Sequence, residues 1–232
     1  MHVSAIIVAA GSGRRLGGNV PKQFQPLSGK PVLFYTLNKF EQCRLVDDVL
    51  VVLPKEWMRY VSENIVKRFD FKKIRKLVTG GAERQDSVWA GIQALSENTD
   101  LVGIHDAVRP FVSQSKIKET IAAAQETGAA ILAVTPKDTV KLGTSPFIEK
   151  TLPRNRIWCV QTPQVFDVKL IKKAYLDAQA AAFSATDDSA LVERVGGKVK
   201  IVPGENTNIK ITEAFDFELA ARILEAEQKQ CV

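Results

Sequence analysis

Short apolar runs alternate with stretches of helical periodicity along the chain, a pattern that predicts a layered α/β sheet. Residues 4–9, 48–53, 74–78, 101–105, 129–134 and 199–202 read as strands. Their nearly continuous Val, Ile and Leu content predicts strands covered on both faces, as in a mostly parallel twisted sheet flanked by helices. Between them, Val88, Ile92 and Leu95 form an apolar stripe at helical spacing, opened by Asp86 or Ser87. Residues 117–127 predict a second helix, stopped by Gly128 where a left-handed cap belongs. Val168, Ile171, Ala174, Tyr175 and Ala178 mark a third. Thr212 is placed to cap a last helix, with Phe215, Leu219 and Ile223 on its buried face.

Residues 135–157 break the alternation. They carry Pro136, Gly143, Pro146 and Pro153 among alternating polar and apolar positions, which predicts a long hairpin leaving the body of the protein. A segment of this length inside a compact domain is usually functional or an interaction element. There is no internal repeat, low-complexity tract or interdomain linker, so residues 1–232 read as one domain carrying a β-arm at 135–157.

Composition narrows the function classes. The chain has 232 residues, 45% hydrophobic and 25% charged, as in an ordinary soluble globular protein with a sizeable core. No run approaches the ~18 apolar residues of a membrane helix. The apolar stretch at 3–10 is short, lacks a basic leader and runs into Gly11-Ser12-Gly13, so no signal peptide is expected and the location is read as cytoplasmic. Cys43, Cys159 and Cys231 are widely spaced and read as reduced thiols, without metal-ligand spacing. With only His2 and His105 present, a histidine-rich metal site is excluded. The net charge of +6 suggests an anionic partner. Its basic residues are spread along the chain without an RNA-binding signature, which favours small phosphorylated ligands over nucleic acid.

The candidate chemistry begins at Ala9-Ala10-Gly11-Ser12-Gly13-Arg14-Arg15, directly after the first strand. A glycine-rich turn there lets backbone N–H groups approach phosphate oxygens. A P-loop is absent, because Gly29-Lys30 is followed by Pro31. A dinucleotide fingerprint fails too: the glycines are Gly11, Gly13 and Gly17, and the second strand ends Val52-Leu53-Pro54-Lys55 without an acidic residue. What survives is a loop supplying both N–H donors and cations, followed by Pro21-Lys22-Gln23. Nucleotidyl transfer loads negative charge on the α-phosphate, and Arg15 and Lys22 suit its stabilisation.

The blocks AAGSGRRLGGNVPKQF, GGAERQDSV, HDAVRP, PKDTVK, LPRNRIW, QTPQVF, ATDDSALVE and NIKIT fall in order along nearly the whole chain. This series resembles the 2-C-methyl-D-erythritol 4-phosphate cytidylyltransferases of the non-mevalonate isoprenoid pathway. The resemblance implies a Rossmann-like nucleotidyltransferase whose β-arm clasps a partner in a homodimer. It implies attack of the substrate's phosphate on the α-phosphorus of CTP, with Mg²⁺ present and pyrophosphate released. No covalent enzyme intermediate is expected, so Cys159 should be dispensable.

The resemblance also implies residue roles. Ala9 to Arg15 would wrap the CTP phosphates, with Arg15 and Lys22 stabilising the transition state. Gly81 and Ser87 would lie near the cytosine and ribose. Asp106 would sit beside the nucleotide and its magnesium, and Ala107 would offer a backbone contact to the ribose. Thr139, Arg154, Thr162, Thr186 and Lys210 would form the erythritol-phosphate site, with Arg154 reaching the neighbouring subunit from the base of the arm. Two positions depart from the pattern: Ala82 and Thr207 stand where relatives often carry an acidic residue. The nearest rival is a ribitol-5-phosphate cytidylyltransferase. A nicotinamide-dependent oxidoreductase, which would bind NAD(P), and a basic nucleic-acid-binding module, with salt-dependent affinity, are remote.

Overall fold

The computed structural model describes residues 1–11 and 20–230. Its centre is a seven-stranded sheet ordered β11-β7-β10-β6-β1-β4-β5. In chain order, β1 is Val3–Val8. A small hairpin of β2 (Pro26–Leu27) and β3 (Lys30–Pro31) leads into α1 (Val32–Glu41). Next come β4 (Asp48–Leu53), α2 (Met58–Val61), which continues as a π-helical turn over Ser62–Lys67, and β5 (Ile74–Thr79). Then follow α3 (Arg84–Gln93), β6 (Leu101–Asp106), α4 (Gln114–Thr127) and β7 (Ala129–Val134). The arm holds β8 (Lys141–Thr144) and β9 (Phe147–Thr151). The chain ends with β10 (Cys159–Asp167), α5 (Val168–Ala180), α6 (Asp188–Arg194), β11 (Lys200–Pro203) and α7 (Ala214–Gln230).

β1 pairs in parallel with both β4 and β6, β4 with β5, and β11 with β7. Among the described strands of this sheet, only β10 runs antiparallel, between β6 and β7. The pleat sends alternate side chains to opposite faces. Ala5 and Ile7 of β1 pack with Leu37 and Phe40 of α1 and Ile117 and Ile121 of α4. Ile6 packs on the other face with Val88 and Ile92 of α3 and with Ile171 and Tyr175 of α5. The long apolar runs in β1, β4 and β6 exist because both faces are buried, as expected. The architecture is Rossmann-like, with a helical layer on each face.

The structure differs from expectation in particular places. β5, read as a buried strand, is the sheet's edge and half exposed. β10 was not expected, because Gln161, Thr162, Pro163 and Gln164 interrupt its apolar pattern. The register shifts between Val160 and Gln164, so Pro163 sits in an irregularity rather than in a regular ladder. α3 begins at Arg84, with Glu83 at its N-cap and Asp86 in its first turn, earlier than an opening at Asp86 or Ser87. Gly128 closes α4 in the left-handed conformation at φ 82°, as the pattern implied. The hairpin predicted in 135–157 is present as β8 and β9, every residue of both strands exposed.

The last helix corrects two expectations. Thr212 does not supply the cap. Instead the Asp216 carboxylate, inside the first turn, accepts from the Thr212 N–H at 2.6 Å and the Glu213 N–H at 2.9 Å. The buried face is also rotated: Ala220 and Leu224 pack with Val32, Phe111 and Ile211, whereas Phe215 is 71% exposed. Leu219 is likewise exposed, while Ile223 is half-buried against that cluster, as expected. Among the described residues no helix is long and apolar enough to cross a membrane.

This rotation is measurable. Leu224→Ala should destabilise the fold by about 2–4 kcal/mol, the cost of a vacated core leucine. Phe215→Ala should stay within about 0.5 kcal/mol. Denaturant unfolding of the two variants checks both values, and a larger loss for Phe215→Ala would reverse the assignment of faces.

Candidate active site

The carboxyl ends of β1 and β6 lie side by side where the strand order reverses, the place at which open α/β sheets bind ligands. Ala9, Ala10 and Gly11 leave β1 here. The buried Gln23 side chain fixes their course, its Nε2 donating to the Ala9 carbonyl at 2.6 Å and the Gly11 carbonyl at 2.9 Å. A trans peptide directs C=O and N–H oppositely, so drawing the Ala9 carbonyl to Gln23 turns the Ala10 N–H the other way. Phe24 anchors the same short turn, Lys22–Phe24, by stacking on Trp57 at 4.4 Å between ring centres. Lys22 thus starts from a turn held on two sides.

The opposite wall is the start of α3. The Gly81 N–H donates to Ser87 Oγ at 3.1 Å, and the Ser87 hydroxyl donates to the Glu83 carbonyl at 3.0 Å. A Cβ on Gly80 would overlap Ala10 and Ser87, so glycine is what lets this turn approach β1. Ala9, Ala10, Gly11, Lys22, Gly81, Ser87, Asp106, Ala107 and Lys210 together line one cavity of about 780 Å³. The Ala107 carbonyl already accepts from Thr36 Oγ1 at 2.7 Å, which fixes the turn after β6.

Asp106 ends β6 and is the electrostatic centre of the site. Lys210 Nζ lies 2.9 Å from Oδ2, Arg84 Nε 3.5 Å from Oδ1 and Arg109 Nε 3.6 Å from Oδ2. Burial alone would push the carboxyl pKa up, but Lys210, Arg84 and Arg109 outweigh it and hold the group well below the usual carboxylate range. Asp106 is therefore an ionised oxygen donor. Its backbone is set by a neutral relay: the Asp106 N–H donates to Thr162 Oγ1 at 3.0 Å, and Thr162 pairs with His105 Nδ1 at 3.1 Å. His105 Nε2 lies 3.0 Å from the Arg109 carbonyl, which only accepts, so Nε2 carries the proton and Nδ1 accepts from the threonine hydroxyl. Burial depresses the His105 pKa to about 4, keeping the ring neutral.

A second cavity of about 660 Å³ opens between β10, α6 and β11. Thr162, Thr186 and Lys210 line it, together with Arg109, Arg156 and Gln161. The structure does not bring Thr139 or Arg154 into either cavity. Both are exposed at the root of the arm, where Arg154 Nη1 donates to the Lys137 carbonyl at 2.7 Å. Ser12, Gly13, Arg14 and Arg15 lie outside the described residues. Sequence reasoning missed Gln23, Arg84 and Arg109 as site residues. All three sit inside the blocks already singled out, but an arginine opening a helix or following a strand resembles a surface residue until its partners are seen.

The donor chemistry around Asp106 bears on a metal. Among the described residues no cluster of three His, Cys, Asp or Glu side chains could hold an ion. Asp106 alone, ringed by three cations, fits a hard divalent ion only when phosphate oxygens supply further ligands and negative charge.

Comparison with known proteins follows the same line. The family model described as 2-C-methyl-D-erythritol 4-phosphate cytidylyltransferase matches residues 3–226. A protein of that name from Syntrophus aciditrophicus is 46% identical over 227 residues, covering 97% of each chain. The solved 4-diphosphocytidyl-2C-methyl-D-erythritol synthase of Anaerococcus prevotii superposes with a TM-score of 0.87 at 36% identity, covering 97% of this chain and 96% of that one. The 2-C-methyl-D-erythritol 4-phosphate cytidylyltransferase structure from Thermus thermophilus gives 0.80 at 34%, covering 96% and 98%.

The buried histidine makes a pH prediction. The unfolded chain takes up this proton near the ordinary value of 6.5, the native protein only near 4. Between those values the unfolded state binds the extra proton, so the contribution is complete above pH 6.5 and lost as pH falls toward 4. It amounts to roughly 3 kcal/mol. Unfolding free energies of wild type and His105→Gln, compared from pH 7 to 4, should converge on acidification. Parallel profiles would contradict the neutral relay.

Proposed function

The chain belongs to the 2-C-methyl-D-erythritol 4-phosphate cytidylyltransferase family, and we propose how its residues divide the work of that family's reaction. The enzyme is a nucleotidyltransferase. It transfers CMP from CTP to 2-C-methyl-D-erythritol 4-phosphate, giving 4-diphosphocytidyl-2-C-methyl-D-erythritol and pyrophosphate in isoprenoid precursor synthesis. The observation that carries the assignment of residues is the meeting of two cavities at Asp106 and Lys210.

In this reading the cavity between β1 and α3 takes CTP. Ala9 to Arg15 wrap the triphosphate, Gly81 and Ser87 lie by the base and ribose, and Arg15 and Lys22 stabilise the charge on the α-phosphate. The Ser87 hydroxyl donates to Glu83, so toward a nucleotide it offers acceptor oxygen only. Lys22 starts from a turn braced by Gln23 and Phe24, which limits the reorganisation needed when charge develops. The second cavity takes the polyol phosphate, with Thr162, Thr186 and Lys210 from this chain. Lys210 stands between the Asp106 carboxylate and that cavity, where a point charge aligns an incoming phosphate. Mg²⁺ would be held by Asp106 together with the triphosphate. When bound, such an ion neutralises phosphate charge. Thr207 supplies no second carboxylate, so in this chain the protein's share of that ligation falls on Asp106.

Thr139 and Arg154 are assigned to a partner subunit. Their exposure at the arm's root, outside this chain's own cavities, supports that reading. So do Phe147 and Ile148, 79% and 66% exposed on the arm, where large apolar side chains call for a covering surface. The proposed assembly is a cytoplasmic homodimer, each subunit one catalytic domain over 1–232 with its arm at 135–157 across the neighbour's second cavity.

Pyrophosphate release should require CTP, methylerythritol phosphate and a divalent ion, and should stop with chelator. Ribitol 5-phosphate in place of methylerythritol phosphate should give at most a few per cent of the rate. Faster turnover with ribitol phosphate would reject the acceptor.

Lys22→Ala should lower turnover by about 100-fold or more, the scale of removing one transition-state donor. Arg154→Ala should mainly raise the methylerythritol-phosphate KM. Mixed Lys22→Ala and Arg154→Ala subunits should recover activity, because one of the two sites regains both groups. Heterodimers without recovery would place Arg154 in its own subunit's site.

A further inference from the structure

Only three of the described residues line both cavities: Asp106, Lys210 and Arg84. The transferred phosphorus must pass from a nucleotide in one cavity to an acceptor in the other, so it crosses beside these three. Asp106 and Lys210 already have roles in the reaction proposed above. We propose that Arg84 is a catalytic residue whose guanidinium grips a non-bridging oxygen of the α-phosphate during transfer. The inference rests on that two-cavity reading.

Arg84 opens α3 and is held by a buried support. Its Nη2 donates to Asp188 Oδ2 at 2.8 Å, and its Nε faces Asp106. Asp188 is 1% exposed, and its other oxygen accepts from the Tyr175 hydroxyl at 2.6 Å. Tyr175 is fully buried and stacks on Trp89 of α3, with ring centres 5.6 Å apart. Burial first, and Asp188 second, push the Tyr175 pKa up, so the phenol stays a donor. Burial works against the charge on Arg84, but Asp188 and Asp106 outweigh it and raise its pKa. A permanent cation is thus aimed by a carboxylate that is itself aimed by a buried phenol. A guanidinium carries five N–H groups in a planar fork, and Asp188 engages only one end of it. The side chain remains 31% exposed where the two cavities meet.

The chemistry needs such a group. An ionised oxygen of the polyol phosphate bonds to the α-phosphorus. The bond from that phosphorus to the oxygen bridging to the β-phosphate breaks, and pyrophosphate leaves with the electron pair. No proton or redox equivalent moves in this exchange. Two anionic phosphates must nevertheless approach each other, and a fork on the α-phosphate oxygens lowers that repulsion while fixing the line of attack. A buried ion pair is weak evidence for a purely stabilising role, since desolvation offsets most of its attraction.

The test is kinetic and stereochemical. Wild type with CTP and methylerythritol phosphate sets the reference; absence of turnover there would reject the reaction itself and this role with it. Arg84→Ala should lower kcat about 100-fold, with a smaller change in either KM. CTP carrying sulfur on the α-phosphate as separate diastereomers reports contact with individual oxygens. Wild type should prefer one diastereomer, and Arg84→Ala should shift the preference at least tenfold. Arg84→Lys keeps charge without the fork and guards against a folding defect; it should shift the preference in the same direction. Asp188→Asn should lower kcat less than Arg84→Ala. An active wild type with Arg84 variants that are folded and retain the diastereomer preference, whatever their rate, would leave the arginine a structural ion pair and overturn the proposal.

Discussion

The attraction between one carboxylate and three cations organises this protein's cleft. Lys210, Arg84 and Arg109 converge on Asp106 from the 210 segment, the start of α3 and the turn after β6. Three positive groups brought this close, without a counter-charge, would repel one another and draw in water. Asp106 gives them a common partner in the ligand-free protein, yet leaves the cluster positive overall. In the proposed reaction an arriving phosphate meets donors already oriented by that carboxylate, and such preorganisation is where electrostatic catalysis gains most. Removing the buried carboxylate would leave Arg109, itself largely buried, without its counter-charge, and losing one partner of a buried pair typically costs about 3–5 kcal/mol. In the proposed reaction, fold stability and ligand recognition draw on the same side chains.

The sheet makes that convergence possible. β1 and β6 end together, and the connections leaving them diverge, so a crevice opens without any bend in the strands. Side chains then spend the loop carbonyls that would otherwise repel phosphate. Gln23 takes those of Ala9 and Gly11, and Thr36 takes that of Ala107. Each bond turns an acceptor away from the cleft. The buried His105–Thr162 pair does the same service beneath Asp106, linking β6 to the irregular stretch of β10 without placing a charge there.

Much of the frame was legible in the sequence because burial on both faces forces unbroken apolar runs. β1, β4, β6 and β7 declare themselves that way. β10 does not: it passes beside the cleft, so Gln161, Thr162 and Gln164 serve polar networks where a strand would normally carry Val or Ile. α7 failed for another reason. Phe215, Leu219 and Ile223 have helical spacing, but so do Ala220 and Leu224, and the packing against Val32 and Phe111 buries that pair while keeping only Ile223 of the expected three, half-buried. Within the site, Lys22 was legible from the loop pattern itself, and Asp106 and Lys210 through resemblance. Arg84 was not, since the partner that gives it meaning, Asp188, lies 104 residues away in sequence. Arg15 falls outside the described residues, so its part in the cleft rests on sequence alone.

The net charge of +6 takes on a different meaning once its distribution is seen. Several basic residues away from the cleft are spent on the fold. Lys73 Nζ donates to the Cys43 and Val46 carbonyls just beyond α1, at 2.6 and 2.7 Å. Lys76 donates to the Ala94 carbonyl at the end of α3. Lys39 and Lys200 pair with Glu227 and Glu126. These are helix-end and surface roles, in keeping with the negative pole of a helix C-terminus. A nucleic-acid-binding face would instead array its cations along one exposed stripe at phosphate spacing. Here Arg84, Arg109, Arg156 and Lys210 surround a cavity of about 660 Å³. A concave site of that size suits a small phosphorylated molecule better than a nucleic-acid backbone.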